Sequence, residues 1–202
     1  MDTTNTTNWN WFNVQAAAGG FLTMQDLLLM YVSGGNFVGC NTTANGCQRD
    51  STGVASMRRD GFAGLDHLSH LDPAELMTRP LVWAVAATHL FVNFDGTNLT
   101  VALLDAATGE PIAPFTLENS VSLDASNSTR SVLAWHNEPS DGISQLRGRA
   151  VRILFRWGQR GDKGSSLYSF WVATSKCGAS RGYVAGGGPG IGGDVDSKGS
   201  CA

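Results

Sequence analysis

The cleanest alternation of apolar and polar positions lies at residues 149–157, where Val151, Ile153, Phe155 and Trp157 fall on one side and Arg152 and Arg156 on the other. A period of two is that of a β-strand with one buried face and one wet face. Residues 167–172, LYSFWV, are apolar on both sides, as expected of a central strand. Residues 81–86 and 88–94 have strand-like composition, and Asp95-Gly96 ahead of the apolar run at 99–105 is a hairpin signal. A turn at 106–109, short edges at 115–117 and 121–123 and a strand at 130–135 complete this half.

Upstream, GFLTMQDLLLMYVS reads as a hairpin about Gln25-Asp26. Its second arm, residues 27–32, is too short for an ordinary helix and ends at Gly34-Gly35. The segment GGNFVGCNTTANGCQRD is turn-rich and reads as a protruding loop. A strand at 52–58, a turn at Asp60-Gly61 and a return through Phe62 follow. Residues 66–80, punctuated by Pro73 and Pro80, lack a clear period and read as a connector. Closely spaced short strands without an amphipathic helix predict an all-β chain, with a jelly-roll-like β-sandwich as its main part. Its expected core is Leu90, Val92, Phe94, Val101, Leu103, Val151, Ile153 and Phe155.

Composition agrees. Charged residues make up 15% of the 202, while Gly, Ser, Thr and Asn abound, a balance that suits a turn-rich, exported β-protein better than a helical cytosolic one. Net charge is −3 and the 14 basic residues are scattered, so neither nucleic acid nor an anionic membrane surface is an expected partner. No run of 18 apolar residues is present to span a bilayer, and MDTTNTTNWNW has neither the basic segment nor the apolar run of a signal peptide. An exported chain without its export signal is expected to be part of a longer protein.

The four cysteines, Cys40, Cys47, Cys177 and Cys201, lie in Gly-, Asn- and Ser-rich segments. Cys40 with Cys47 and Cys177 with Cys201 is the most economical of the three pairings; four free thiols in a reducing cell is the alternative. The second bridge would fold back a tail holding nine glycines between Cys177 and residue 199. Asn-x-Ser/Thr acceptors stand at Asn5, Asn41, Asn98 and Asn127, in loop-like sequence.

Glycosidic cleavage ordinarily needs two carboxyl groups facing one bond. Asp60, Asp95, Glu110, Glu118, Asp124 and Glu138 are the candidates, and nearly all fall at turns, where such residues are common for conformational reasons. No nucleophile elbow, phosphate-binding glycine loop or zinc-protease helix occurs, and no metal or cofactor is expected. His67 and His70, the one near pair of histidines, read as solvated residues of the connector rather than metal ligands. Arg58-Arg59-Asp60 at a strand end fits a bidentate clamp for an anionic or hydroxylated ligand, or an ion pair that fixes a turn, and the second reading is favoured. Of the six tryptophans, Trp9 and Trp11 in a polar stretch are the better candidates for exposed sugar-stacking faces; Trp157 and Trp171 lie in core patterns.

The strings WNWFNVQ, TGVASMRRDGFAGLD, LFVNFDG, LRGRAVRILFRW and LYSFWV, in this order, resemble the C-terminal part of a group of secreted bacterial proteins that look like five-bladed β-propeller glycoside hydrolases of the invertase/sialidase-like kind. The resemblance implies that residues 1–65 are closing strands of a propeller-like domain, 66–80 a connector, 81–175 the sandwich and 176–202 a disulfide-tethered tail. The earlier blades, which in such enzymes carry the nucleophile, would be missing. Arg59-Asp60 is only superficially similar to the Arg-Asp-Pro motif of invertase-like enzymes, because Gly61 stands in place of the proline, so no catalytic role is carried over. The expected function is a non-catalytic or remnant carbohydrate-related module, acting outside the cell or in the secretory pathway, with a glycan or the missing N-terminal propeller blades as partner. A stand-alone lectin-like surface protein is the alternative, and a small complete hydrolase using Asp60 the weakest reading.

Overall fold

The structure, a computed structural model, describes residues 13–16, 20–24, 26–35, 50–68, 70–83, 87–178, 183–184 and 188–189. Among them are β1 (Asn13–Ala16), β2 (Leu22–Met24), β3 (Leu27–Gly35), β4 (Asp50–Arg58), β5 (Leu65–His67), β6 (Ala74–Met77), β7 (His89–Gly96), β8 (Thr100–Asp105), β9 (Ser126–Leu133), β10 (Val151–Trp157), β11 (Ser165–Ala173), β12 (Tyr183–Val184) and β13 (Gly188–Pro189). A single 3-10 turn, Gly142–Leu146, is the only helical element among the described residues. The protein is all-β, as its sequence predicts.

The strands form antiparallel sheets, none closed into a barrel. In the first, β3 pairs with β1 and β2 along one edge and with β4 along the other. A second sheet runs β5-β11-β7-β9 and a third β6-β10-β8. The second and third share one core: Leu90, Val92 and Phe94 from β7, Leu133 from β9 and Leu167 from β11 join Val101 and Leu103 from β8 and Val151, Ile153, Phe155 and Trp157 from β10. All eight expected core residues are in this cluster. In β10 the alternation is realised residue by residue: positions 151, 153, 155 and 157 are buried and Arg156 is exposed. β11 is central, between β5 and β7.

Some local expectations give way. The stretch read as connector contributes two strands: β5 pairs with β11, and β6 pairs with β10. They are three and four residues long, at sheet edges, with half their side chains in water, so no apolar period marks them. Residues 115–117 and 121–123 are not strands; Leu123 and Ser120 make isolated bridges to Leu99 and Trp135. Residue 81 likewise makes one bridge, to Val151, and residues 84–86 lie outside the described set. His67, expected in solvent, is buried: its Nε2 lies 3.3 Å from the Leu71 carbonyl oxygen and its ring packs on Gly158. Gly158 has φ of 73° and a Cβ there would stand 2.4 Å from His67 Nδ1, so chain direction and close approach both require glycine.

Candidate functional site

β7 is buried on both faces. Its inner side chains enter the shared core; of its outer ones, Phe91 stacks on Trp171 with ring centroids 5.6 Å apart, and Asn93 is fully buried. Two register irregularities converge on Asn93. On one side the pairing with β11 shifts between Leu167 and Ser169, which leaves Tyr168 as the extra residue. On the other the pairing with β9 shifts between Val92 and Phe94, placing Thr129 and Arg130 opposite Asn93 alone. Bulges re-aim side chains, and these two surround the point where the first sheet meets the second.

That meeting point is built by the Arg58-Arg59 pair. Arg58 Nε donates to Asn93 Oδ1 at 2.7 Å, NH1 to Asn127 Oδ1 at 2.6 Å and NH2 to the Phe94 carbonyl at 3.2 Å, while the guanidinium lies 5.0 Å from the Tyr168 ring centroid. Asn93 Nδ2 donates to the Arg59 carbonyl at 2.6 Å. The Arg59 amide donates to the Asp26 carbonyl at 2.9 Å, and the Thr129 hydroxyl donates to the Asp26 carboxylate. Arg59 itself is buried. Asp60 adopts φ of 54° in the turn after β4, closed by the Gly61 amide donating to the Arg58 carbonyl at 2.9 Å. The Arg-Arg-Asp string thus forms a polar joint between two sheets.

Two recesses flank this joint, and each shares a residue with it. The larger, about 590 Å³ and open, is lined by Asp95, Thr97, Ser126, Asn127, Asp162 and Lys163 together with Gly96, Ala125, Gly161 and Gly164. Here the end of β7, the start of β9 and the loop between β10 and β11 come together. The Thr97 hydroxyl donates to Asp162 Oδ2, the Gln159 amide donates to the same oxygen at 2.8 Å, and the Thr97 amide donates to Ser165 Oγ at 3.1 Å. Chiefly through the Thr97 hydroxyl, and then the Gln159 amide and the nearby His67, the Asp162 carboxyl is held below the ordinary carboxylate range against a smaller opposing effect of desolvation. Gly96 permits the approach of β11, because a Cβ there would lie 2.2 Å from that of Ser165. Asn127 belongs to both groove and joint.

The second recess, about 340 Å³ and mainly apolar, is lined by Leu65, Leu76, Leu167, Tyr168, Ser169 and Phe170, with Ala63 and Gly64. It opens beside β5 and β6, and Tyr168 ties it to Arg58.

The remaining sequence candidates are dispersed. Asn98 occupies the turn between β7 and β8 with φ of 57°, and Asn127 is exposed. Cys177 is disulfide-bonded, and its Sγ lies 2.9 Å from Ser175 Oγ; Cys40, Cys47, Cys201, Trp9, Trp11, Asn5 and Asn41 lie outside the described residues. Trp83, Trp135 and Trp157 belong to the core, and Trp171 is held by Phe91 and by an Nε1 donation to the Gly178 carbonyl at 3.1 Å. Among the carboxyl groups, Glu138 is half-buried and pushed up by desolvation, against a weaker lowering by the Trp135 amide. Asp105 is drawn down to about 2, first by its hydrogen bond with Arg149 and then by the Thr108 and Ala107 amides. Neither of these two lines the groove. Among the described residues no three His, Cys, Asp or Glu side chains cluster as metal ligands would, and no helix is long and apolar enough to cross a membrane.

Sequence reasoning did not single out Asn93, Asp26, Thr129, Thr97 or Asp162. Asn93 had a signal: a lone amide inside the apolar run LFVNF, in a strand covered on both faces, must find hydrogen-bond partners. Asp162 lay in the turn GQRGDKG, indistinguishable from an ordinary turn former. Comparison with known protein families, with curated proteins and with solved structures finds no match to this chain.

Proposed function

We propose that this chain is a non-catalytic, carbohydrate-binding module of an exported glycoside-hydrolase-like protein, in which the second and third sheets form a β-sandwich and the first sheet is what remains of a propeller-like domain. The observation that supports the reading is the open groove beside the Arg58 joint, where six polar side chains are gathered. Its carboxylates, hydroxyls, amide and ammonium group present donors and acceptors at close quarters on loops fixed by glycine turns, which is what a ring bearing several hydroxyls requires.

The same groove argues against hydrolysis. Cleavage needs a protonated acid opposite a carboxylate, yet the hydrogen bonds from Thr97 and Gln159 lower the Asp162 carboxyl rather than raise it. Glu138, the carboxyl raised by burial, stands outside the groove. The groove's lining comes from the strand ends and loops of the two sheets that share the core, and a stand-alone lectin-like role is the second reading that this placement favours. Calorimetry against a panel of neutral and acidic oligosaccharides tests both. Weak binding, reduced at least several-fold by Lys163→Ala with unchanged melting, is expected; hydrolysis of aryl glycosides or fructans by the purified chain would contradict the proposal.

A further inference from the structure

Asn127 belongs to both the joint and the open groove, and it begins the acceptor sequence Asn127-Ser128-Thr129. Its amide has a fixed direction. A guanidinium only donates, so the 2.6 Å contact with Arg58 NH1 is made by Oδ1, and Nδ2 of the planar amide turns away from Arg58. The residue is exposed and stands near the start of β9, the outer strand of the described second sheet. In the same lining, a Cβ added to Gly161 would meet nothing within 4 Å, so the groove has room for a large substituent. The third residue of the acceptor sequence is in the opposite state: Thr129 is buried, and its hydroxyl donates to the Asp26 carboxylate.

We propose that Asn127 carries an N-linked glycan, added before the joint closes, and that the first sugars of this glycan occupy the open groove. In the transfer, Nδ2 forms a bond to the anomeric carbon of a polyprenyl-diphosphate-linked oligosaccharide. The bond from that carbon to the diphosphate oxygen breaks, the polyprenyl diphosphate leaves with the electron pair, and one Nδ2 proton passes to a base of the transferase. Oδ1 is not altered, so the hydrogen bond from Arg58 survives the modification. Thr129 sets the order of events: the acceptor is read through its hydroxyl as well as its asparagine, and in the folded chain Asp26 holds that hydroxyl. The inference rests on the reading of the groove as a sugar site on an exported chain and deepens it. The groove's first ligand is the chain's own glycan, tethered at an effective concentration on the order of millimolar, and a free oligosaccharide has to displace it.

The test compares the full chain secreted from a glycosylating eukaryotic host with the same chain secreted while synthesis of the lipid-linked donor is inhibited. Both carry Asn5→Gln, Asn41→Gln and Asn98→Asp, the last keeping a residue that tolerates the left-handed backbone, so that a glycan at any of the four acceptors can only be on Asn127. Peptide mass mapping should find Asn127 modified in most of the uninhibited chain. Hydrogen exchange at 95–97 and 161–164 should be slower in the glycosylated form, with 63–65 and 167–170 unchanged, and added oligosaccharide should bind that form about tenfold more weakly. Offered to a purified oligosaccharyl transferase with its lipid-linked donor, the folded, unmodified chain should accept far less glycan than a peptide of residues 124–132, and Asp26→Ala should raise its acceptance several-fold. An unmodified Asn127 in the secreted chain, a glycan that leaves exchange at 95–97 and 161–164 unchanged, or a folded chain modified as readily as the peptide would overturn the proposal. If exchange is slowed but the unmodified chain binds no free oligosaccharide, the glycan remains assigned to the groove and the reading of the groove as a site for foreign sugars fails instead.

Discussion

Arg58 and Asn93, 35 residues apart in the chain, exchange the hydrogen bond that fixes the first sheet to the second: the Arg58 Nε–H donates to Asn93 Oδ1 at 2.7 Å in a part-buried site. The Asn93 amide also donates to the Arg59 carbonyl, so one side chain satisfies two consecutive residues of the other sheet. Replacing Asn93 by leucine removes both bonds and leaves part-buried polar groups facing an apolar side chain. The expected cost is about 2–4 kcal/mol, measured by urea denaturation. Asn93→Leu with unchanged stability would show that the joint contributes nothing.

Phe155 projects from β10 into the core shared by two sheets, fully buried and 5.2 Å from the Phe170 ring centroid. Phe155→Ala should cost about 3–5 kcal/mol, the usual range for a large aromatic lost from a close-packed interior. Calorimetric melting checks it; a loss under about 1 kcal/mol, the scale of a surface change, is incompatible with the described packing.

Much of this core was legible beforehand, because strands buried on one face write their burial into a period of two, as β10 does. β5 and β6 were not legible: short edge strands with half their side chains in water carry no such period. The joint was half legible. Arg58-Arg59-Asp60 stood out as a cluster, but its partners Asn93, Asn127, Asp26 and Thr129 come from distant strands, and the bulges that aim them arise only from pairing. Of the groove, Asp95 and Asn127 stood out in the sequence for other reasons, as a candidate carboxylate and a glycosylation acceptor; the rest are turn residues whose composition is that of any turn, and nothing in the sequence brought them together.

Glu138 and Asp105 give opposite pH signatures. Burial raises the Glu138 carboxyl, so the folded chain holds this proton more tightly than the unfolded chain, and stability contributed below the unfolded pKa is lost as pH rises through the folded one. Glu138→Gln should therefore flatten the decline in melting temperature on the neutral side of the ordinary glutamate range. Asp105, lowered to about 2 by Arg149 and backbone amides, contributes stability above its unfolded pKa that is lost as pH falls through the folded value. Arg149→Ala should return the Asp105 titration, followed by carboxyl NMR, toward the ordinary range. A melting profile indifferent to Glu138→Gln, or an Asp105 titration unmoved by Arg149→Ala, contradicts these assignments.

The central claim, that the open groove beside the Arg58 joint holds a sugar without cleaving it, is tested most directly by an amide NMR titration of the isotopically labelled chain with an oligosaccharide panel. At least one glycan is predicted to shift a contiguous set of amides at 95–97, 125–127 and 161–164, to leave the apolar recess at 63–65 and 167–170 unmoved, and to be recovered intact. The contrary result is either an absence of shifts in the groove across the whole panel or the appearance of hydrolysis products during the titration.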